Sequence, residues 1–417
     1  MDYRIFPPEE ILECSVTLPL SKSISARALI MRRLAGCTDA YTVADCDDTR
    51  SMAEALRCTS GEVNIGPAGT AMRFLTAYYA ATEGCDITLD GNERMRRRPI
   101  RALVDALREL GADIEWAGEE GFAPLHIRGR RLKGGALTMD SSVSSQFVSA
   151  ILMVAPTMQE PLTLTLDGEA VSMPYIKMTV EMMRRAGIDA EINRDVITVA
   201  PGKYRPYDEP VERDWSAAAF WYEIAAITAG WVTLPELCDK SLQGDAVTAA
   251  LYPRLGVLTE FEDGAAELSA TPDLYSRLDL DMTDTPDLVQ AMAVTACAIG
   301  VPFRFTGVAT LRHKETDRLE ALRRELLKIG CVTEIESDNI ISWEGRRVPL
   351  TEMPVIDTYG DHRMAMAFAP LSVFVPGIIV RDIEVVGKSY PDFWNDMRQA
   401  GFTLTDAAEP LPEPEAE

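Results

Sequence analysis

The 417-residue sequence has few basic residues and few histidines. It contains 41 lysines and arginines against 65 aspartates and glutamates, so its formal net charge at pH 7 is −24. A chain of this charge lacks the basic surface with which proteins bind nucleic acid or anionic membranes. Three histidines and no H-E-x-x-H sequence leave too few ligands for a zinc hydrolase. The composition therefore predicts no nucleic-acid partner, no membrane partner and no bound metal.

Several familiar sequence patterns are missing as well. No apolar run approaches the roughly 20 residues of a membrane-spanning helix, and no signal peptide is visible. The eight cysteines contain no C-x-x-C pair, which predicts reduced thiols in a cytoplasmic protein. Neither G-x-G-x-x-G nor G-x-S-x-G occurs, and Gly387-Lys388-Ser389 lacks the first glycine of a P-loop. Nothing in the chain indicates a nucleotide cofactor or a serine nucleophile.

What the chain does contain is a long repeat. Helix-like segments end at glycines that lie 69 to 76 residues apart, namely Gly111, Gly187, Gly256, Gly330 and Gly401. A glycine just after a helix adopts the left-handed conformation that ends it, and a strand-like segment follows each one. Small or polar residues open apolar helices at Ser21, Gly69, Ser144, Asp214, Asp287 and Asp361, and the last four intervals between them are again close to 72 residues. The spacing predicts an α/β chain of six βαβαββ repeats, the first of them short, around residues 58–66.

The length indicates more than one domain, because a single hydrophobic core usually stops growing at roughly 250–300 residues. Three repeats in each of two lobes is the natural division. The predicted boundary lies near residues 211–213, after a segment rich in proline and tyrosine at 201–210. From Thr405 the chain is rich in proline, alanine and glutamate, which predicts a disordered acidic tail.

The predicted helix starts carry more polar side chains than capping requires. A helix N-terminus presents unpaired N–H groups and partial positive charge, so it favours an anion. Lys314 and Arg318 are four residues apart, which places them on one face of a predicted helix with Glu315 beside them. A surface ion-pair ladder is the alternative for that segment, as simple capping is for Asp361. Cations beside the carboxylates of Asp287 and Glu315 suit acid–base chemistry on phosphorylated or carboxylated metabolites.

Six motifs in order resemble the 5-enolpyruvylshikimate-3-phosphate (EPSP) synthases, and the resemblance runs from residue 18 to residue 392. The motifs occupy residues 68–73, 97–100, 143–147, 171–176, 314–318 and 361–366. The resemblance implies a two-lobed enolpyruvyl transferase-like fold with three repeats per lobe and an active site between the lobes. It implies that residues 1–20 and 212–417 form one lobe and residues 21–211 the other.

The same resemblance implies transfer of the enolpyruvyl group of phosphoenolpyruvate to the 5-hydroxyl of shikimate 3-phosphate, with release of phosphate. For the proton transfers of this reaction, we hypothesise that Asp287 is the base at the 5-hydroxyl and that Glu315 with Lys22 handles the methyl proton. The implied ligands of shikimate 3-phosphate are Lys22, Ser23, Arg27, Ser144, Ser145, Gln146, Ser172, Asp287 and Lys314. Those of phosphoenolpyruvate are Lys22, Gly69, Arg98, Gln146, Arg318, Arg363 and Lys388. A monomer that needs no cofactor and no metal is expected.

Three positions depart from the family pattern, at Pro67, Phe74 and Thr310. They bear on substrate affinity rather than on the expected acid–base groups. Two alternatives remain open from the sequence. One is the related enolpyruvyl transferase that acts on UDP-N-acetylglucosamine, and the other is an inactive relative that senses an anionic metabolite.

Overall fold

A computed structural model describes residues 1–140, 144–168 and 171–409. The helices in these ranges are α1 (Lys22–Leu34), α2 (Asp47–Ala55), α3 (Gly69–Ala81), α4 (Arg101–Glu109), α5 (Ser145–Val154), α6 (Met173–Arg185), α7 (Trp215–Thr228), α8 (Thr248–Leu251), α9 (Val289–Ile299), α10 (Arg318–Lys328), α11 (His362–Phe368) and α12 (Phe393–Gln399). The strands are β1 (Tyr3–Phe6), β2 (Glu13–Ser15), β3 (Ser60–Asn64), β4 (Asp86–Asp90), β5 (Asp113–Trp116), β6 (Leu125–Arg128), β7 (Gly135–Asp140), β8 (Leu162–Asp167), β9 (Ala190–Asn193), β10 (Val196–Val199), β11 (Trp231–Pro235), β12 (Leu255–Glu262), β13 (Ala265–Leu274), β14 (Leu278–Asp281), β15 (Phe303–Thr306), β16 (Glu334–Glu336), β17 (Ile340–Trp343), β18 (Val355–Ile356), β19 (Ile378–Val380) and β20 (Thr403–Asp406).

The chain divides into two compact units, each with a hydrophobic core of its own. Unit 1 comprises Met1–Pro19, Arg213–Ser241 and the chain from Asp245 onward. Unit 2 comprises Leu20–Glu212 together with the short piece Leu242–Gly244.

The sheets share one connectivity. Unit 2 contains a sheet with the strand order β3-β4-β6-β5, in which β3 and β4 are parallel and the other neighbouring pairs are antiparallel. A second sheet of unit 2, β7-β8-β10-β9, has the same pattern. In unit 1 the sheet β14-β15-β17-β16 has the same form. Parallel neighbours need a crossover, which α3, α5 and α9 supply. The predicted βαβαββ unit is therefore confirmed.

The two N-terminal strands complete sheets whose other strands come from the C-terminal half of the chain. Strand β2 lies parallel to β11 in the sheet β12-β13-β11-β2. Strand β1 lies between β19 and β20 in the sheet β18-β19-β1-β20. These pairings explain why unit 1 is discontinuous in sequence.

Two details of the sequence prediction need correction. The short first repeat expected at residues 58–66 is not separate, because β3 pairs with β4 along its whole length. The acidic tail does not begin at Thr405, because Thr405 and Asp406 belong to β20 and pair with β1. Residues 410–417 of that tail lie outside the described residues. A total of six repeats stays a prediction, since the described residues contain five sheets of this form.

The first helix of each repeat lies in the core, and the second covers it. Helices α3, α5, α7, α9 and α11 are buried on nearly every side, whereas α4, α6 and α10 bury one face. The predicted glycine stops are confirmed, because each of the five glycines of the repeat has a positive φ between 82° and 99°. Several of the predicted site residues lie at the N-termini of core helices, namely Gly69 at α3, Ser145 at α5 and Arg363 at α11.

Candidate active site

The Arg318 guanidinium, at the first position of α10 in unit 1, is buried among three carboxylates. Its Nε and Nη2 donate to Oδ2 and Oδ1 of Asp361 at 2.7 and 3.3 Å. Nη1 donates to Oδ1 of Asp287 and Nη2 to Oε2 of Glu315, both at 2.9 Å. Burial alone would lower the pKa of Arg318, but the charges of Asp361, Glu315 and Asp287 outweigh it and raise that pKa. Arg318 therefore stays charged and holds both carboxylates that were predicted to move protons.

Asp287 lies in a single 3-10 turn, Pro286–Leu288, immediately before the core helix α9. Besides Arg318, its carboxylate faces Nζ of Lys314 at 3.5 Å and Nη2 of Arg363 at 3.2 Å. Burial by itself would raise the pKa of Asp287, but Arg363, Lys314 and Arg318 lower it well below its ordinary value. In the absence of bound anions Asp287 is thus a carboxylate held by three cations.

Glu315 pairs with Lys388 as well as with Arg318. Its Oε1 lies 2.8 Å from Nζ of Lys388, and its Oε2 accepts from Arg318. Lys388 ends the 3-10 segment Ile383–Lys388 and is buried.

Burial lowers the pKa of the Lys314 ammonium, although the neighbouring carboxylate of Asp287 opposes that shift. We name the group formed by Asp287, Lys314, Glu315, Arg318, Asp361, Arg363 and Lys388 the charged cluster.

The predicted position of Lys314 and Arg318 on one helical face is wrong. Asp317 caps α10 by accepting a hydrogen bond from the backbone N–H of Glu320, so the helix begins only at Arg318. Lys314 precedes it in extended backbone and reaches Asp287 from that loop. The interpretation as a surface ion-pair ladder is also wrong, since Arg318 is buried.

One further carboxyl group borders the charged cluster. Asp245 follows Gly244 at the start of a 3-10 turn, is buried, and accepts a hydrogen bond from Oγ of Ser216. Burial and the negative charge of Asp287 raise the pKa of Asp245 to about 6, against the opposing effect of Arg363. Near neutral pH the protonation of Asp245 therefore changes the charge beside Asp287.

In unit 2, Ser21 caps α1 and the side chains of Lys22 and Ser23 follow on its first turn. Nζ of Lys22 lies 3.3 Å from Oδ2 of Asp48, a buried carboxylate in the first turn of α2. A carboxylate is stabilised at that end of a helix by the helix dipole. Asp48 thereby fixes the ammonium group of Lys22. Asp48 was missed from the sequence, because no helix was predicted at residues 47–55.

Arg27 is buried in the packing of α1, α5 and α6. Nε donates to Thr179 at 2.7 Å, Nη1 to the carbonyl of Ser23 at 2.8 Å, and Nη2 to Ser149 and to the carbonyl of Tyr175, both at 3.2 Å. Four of the five N–H groups of the guanidinium are thus committed to protein oxygens. Burial lowers the pKa of Arg27 to about 10. Arg27 was predicted to contact shikimate 3-phosphate, but its side chain is almost fully buried.

The structure brings the predicted residues Gly69 and Arg98 together. A Cβ atom added to Gly69 would lie 2.5 Å from Nη1 of Arg98, so the guanidinium lies directly against the backbone at the N-terminus of α3. Arg73 also donates from Nη1 to the carbonyl of Gly69, at 3.1 Å. A side chain at position 69 would therefore push the Arg98 guanidinium aside, whereas the approach of a substrate phosphate to the Gly69 backbone stays a prediction.

The N-termini of α3 and α5 are neighbours in unit 2. Nε2 of Gln146 donates to Oγ1 of Thr70 at 3.2 Å, and Oγ of Ser144 accepts from the backbone N–H of Gln146 at 3.3 Å. Ser145 is the first residue of α5. Ser172 precedes α6 with a left-handed φ of 57°. Val143, part of the motif that resembled the family, lies outside the described residues.

The structure thus gathers Asp287, Lys314, Glu315, Arg318, Arg363 and Lys388 into the charged cluster of unit 1. In unit 2 it pairs Gly69 with Arg98, and it places Lys22, Ser23, Ser144, Ser145, Gln146 and Ser172 at the starts of core or covering helices. Asp245 was missed, because no local pattern indicates that the turn at residues 244–247 lies close enough to Asp287 and Arg363 for their charges to shift the pKa of Asp245.

Comparison with known proteins agrees with this arrangement. A family model described as EPSP synthase (3-phosphoshikimate 1-carboxyvinyltransferase) matches residues 59–397. A 3-phosphoshikimate 1-carboxyvinyltransferase of Bacteroides fragilis (strain YCH46) is 47% identical over 407 residues, covering 97% of this chain and 99% of the relative. One from Methanospirillum hungatei is 35% identical, covering 92% and 95%.

The fold is also that of solved structures. An EPSP synthase from Acinetobacter baumannii superposes with a TM-score of 0.75 at 22% identity, covering 98% of this chain and all of that one. Within the described ranges, every helix is too short or too polar to cross a membrane. The family model, the relatives and the fold agree, and the chain belongs to the EPSP synthase family.

Proposed function

We propose that this chain is a 3-phosphoshikimate 1-carboxyvinyltransferase, which transfers the enolpyruvyl group of phosphoenolpyruvate to the 5-hydroxyl of shikimate 3-phosphate. The observation that carries the proposal is the charged cluster, whose four cations are each paired with one of its own carboxylates. Guanidinium and ammonium groups bind the phosphate and carboxylate groups that both substrates carry. The proposal extends to this chain the activity for which its relatives are named.

The ion pairs of the cluster supply a way to switch on its acid–base groups. An incoming phosphate or carboxylate competes with Asp287 and Glu315 for Arg363, Lys388 and Arg318. As substrate oxygens replace the protein carboxylates at these cations, each carboxylate loses the positive charge that lowers its affinity for protons. Asp287 would then accept a proton more readily with substrate bound than in the empty protein, where its pKa is held well below its ordinary value.

The reaction has two steps, an addition and an elimination, and each step needs two proton transfers. In the addition step the 5-hydroxyl oxygen forms a bond to C2 of phosphoenolpyruvate and loses its proton, while C3 gains a proton and becomes a methyl group. In the elimination step the C2–O bond to phosphate breaks, C3 loses a proton, and the leaving phosphate is protonated. We assign Asp287 to the hydroxyl proton, and Glu315 with Lys22 to the proton on C3.

The remaining predicted residues are assigned to binding. Phosphoenolpyruvate is assigned to Lys22, Gly69, Arg98, Gln146, Arg318, Arg363 and Lys388. Shikimate 3-phosphate is assigned to Lys22, Ser23, Arg27, Ser144, Ser145, Gln146, Ser172, Asp287 and Lys314. Because four of the five N–H groups of the Arg27 guanidinium already donate to protein oxygens, we assign it a mainly supporting role in which it holds the carbonyl of Ser23 and the hydroxyl of Ser149 in place.

The experiment that tests the function measures inorganic phosphate after the purified protein is mixed with both substrates, with each omitted in turn. Release that requires both substrates is the expected result. Release with UDP-N-acetylglucosamine in place of shikimate 3-phosphate would instead favour the related transferase. Calorimetric binding of both substrates without release would favour an anion-sensing relative and contradict the proposal.

We further propose a monomer in the cytoplasm. All eight cysteines are free thiols, as is usual in reducing compartments. Light scattering at the concentration of the activity assay tests the oligomeric state.

A further inference from the structure

Asp361 is a fully buried carboxylate that serves two elements of unit 1 at once. Its Oδ1 accepts the backbone N–H of Arg363 at 3.0 Å and so caps the core helix α11. The same oxygen and Oδ2 accept Nη2 and Nε of Arg318 at the start of α10. One carboxylate thus fixes the side chain of one predicted anion-binding arginine and the backbone of the other.

The contact between Asp361 and Arg318 differs from the other contacts of Arg318. The side chain of Asp361 is 0% exposed, whereas those of Asp287 and Glu315 are 19% and 14% exposed. Asp361 also engages the Nε edge of the guanidinium with two hydrogen bonds, while Asp287 and Glu315 make one each. An incoming anion can therefore replace Asp287 and Glu315 far more easily than Asp361.

We propose that Asp361 is a positioning residue: it holds Arg318 through the reaction and aims Nη1 and Nη2 at the anionic group of phosphoenolpyruvate. This inference deepens the proposed function and rests on it. A capping role alone would not require the arginine contact, since Asp, Asn and Ser cap helices about equally well. Capping of α11 therefore does not explain why Asp361 also accepts two hydrogen bonds from Arg318, a residue of α10.

Asp361→Asn separates the two roles, because the asparagine still caps α11 while the negative charge that orients Arg318 is lost. Asp317→Asn is a matched control: Asp317 also caps a helix, α10, and also pairs with an arginine, Arg312, which is outside the charged cluster. We expect Asp361→Asn to raise KM for phosphoenolpyruvate on the order of tenfold to a hundredfold. KM for shikimate 3-phosphate should change little, and Asp317→Asn should leave both values near wild type.

Equal changes in both KM values, or kinetics of Asp361→Asn no different from those of Asp317→Asn, would overturn the proposal. Wild-type protein without phosphate release would instead refute the proposed function, so the two failures are distinguishable. If Asp361→Asn does not fold, the proposal is tested instead by the rate of hydrogen exchange at Nε–H of Arg318 in the wild-type protein. The NMR signal of this group is assigned as the one that is missing from the spectrum of Arg318→Lys. Slow exchange that persists when phosphoenolpyruvate is added supports the proposal. Exchange as fast as at exposed Arg324 contradicts it.

Discussion

Replacement of Asp287 by asparagine is the sharpest test of how the charged cluster works. The substitution removes one negative charge from three cations: Lys314, Arg318 and Arg363. The amide still accepts hydrogen bonds from an arginine, so the local geometry should survive. What disappears is the ability of this side chain to take a proton from a hydroxyl group.

Asp287→Asn should affect three properties separately: turnover, folding stability and affinity for anions. Loss of a general base lowers kcat on the order of 10²- to 10⁴-fold. Breaking a buried ion pair costs about 3–5 kcal/mol of folding free energy, and the lower end applies here because the amide keeps one acceptor. Affinity for anions should not fall, because Asp287 competes with them for the three cations. Added inorganic phosphate should therefore recover much of the stability lost by Asp287→Asn.

The assay combines initial rates of phosphate release, calorimetric binding of phosphoenolpyruvate, and urea unfolding with and without phosphate. Asp279→Asn is the matched control, because Asp279 pairs with Arg277 on the exposed surface of the same unit. Near-normal turnover of Asp287→Asn would refute its role in proton transfer. Weaker binding of phosphoenolpyruvate would refute the argument that Asp287 competes with substrate anions.

Three further predictions concern groups beside the proposed site. In Gly69→Ala the new Cβ would overlap Nη1 of Arg98, a flexible side-chain end, so KM for phosphoenolpyruvate should rise on the order of tenfold while urea unfolding changes little. In Asp48→Asn the ammonium of Lys22 loses the charge of Asp48, so kcat should fall on the order of tenfold, and because this ion pair is largely buried the unfolding free energy should fall as well. Asp245 has a folded-state pKa of about 6, above its unfolded value, so its contribution to stability is present below about pH 4 and is lost as pH rises through 6. Asp245→Asn should therefore stabilise the protein at pH 8 more than at pH 4, as measured by urea unfolding; equal effects at the two pH values would contradict this.

Local chemistry explains which parts of the fold could be predicted from the sequence. A glycine after a helix and a capping residue before one act within a few residues, so Gly111 and Ser21 carry their signal in the sequence itself. The pairing of β1 with β19 and β20 joins residues nearly 400 positions apart and is set by tertiary packing. No local pattern encodes it.

The candidate site divides in the same way. The motifs indicated that Glu315, Arg318 and Arg363 are chemically important, and the helix-start pattern added Asp287. The motifs did not indicate their pairing. That pairing depends on α10 beginning at Arg318, which directs the guanidinium inward to Asp361.

The balance of charge in the cluster accounts for how a protein of net charge −24 could bind two anionic substrates. Four cations face the carboxylates of Asp287, Glu315 and Asp361, so the cluster is only slightly positive before anything binds. Four buried cations without carboxylates would repel one another and destabilise the fold. The carboxylates thus stabilise the empty protein, and in the proposed function the two more exposed ones are the proton carriers once substrate oxygens replace them. On this argument the same ion pairs that stabilise unit 1 also keep its acid–base groups inactive until substrate arrives.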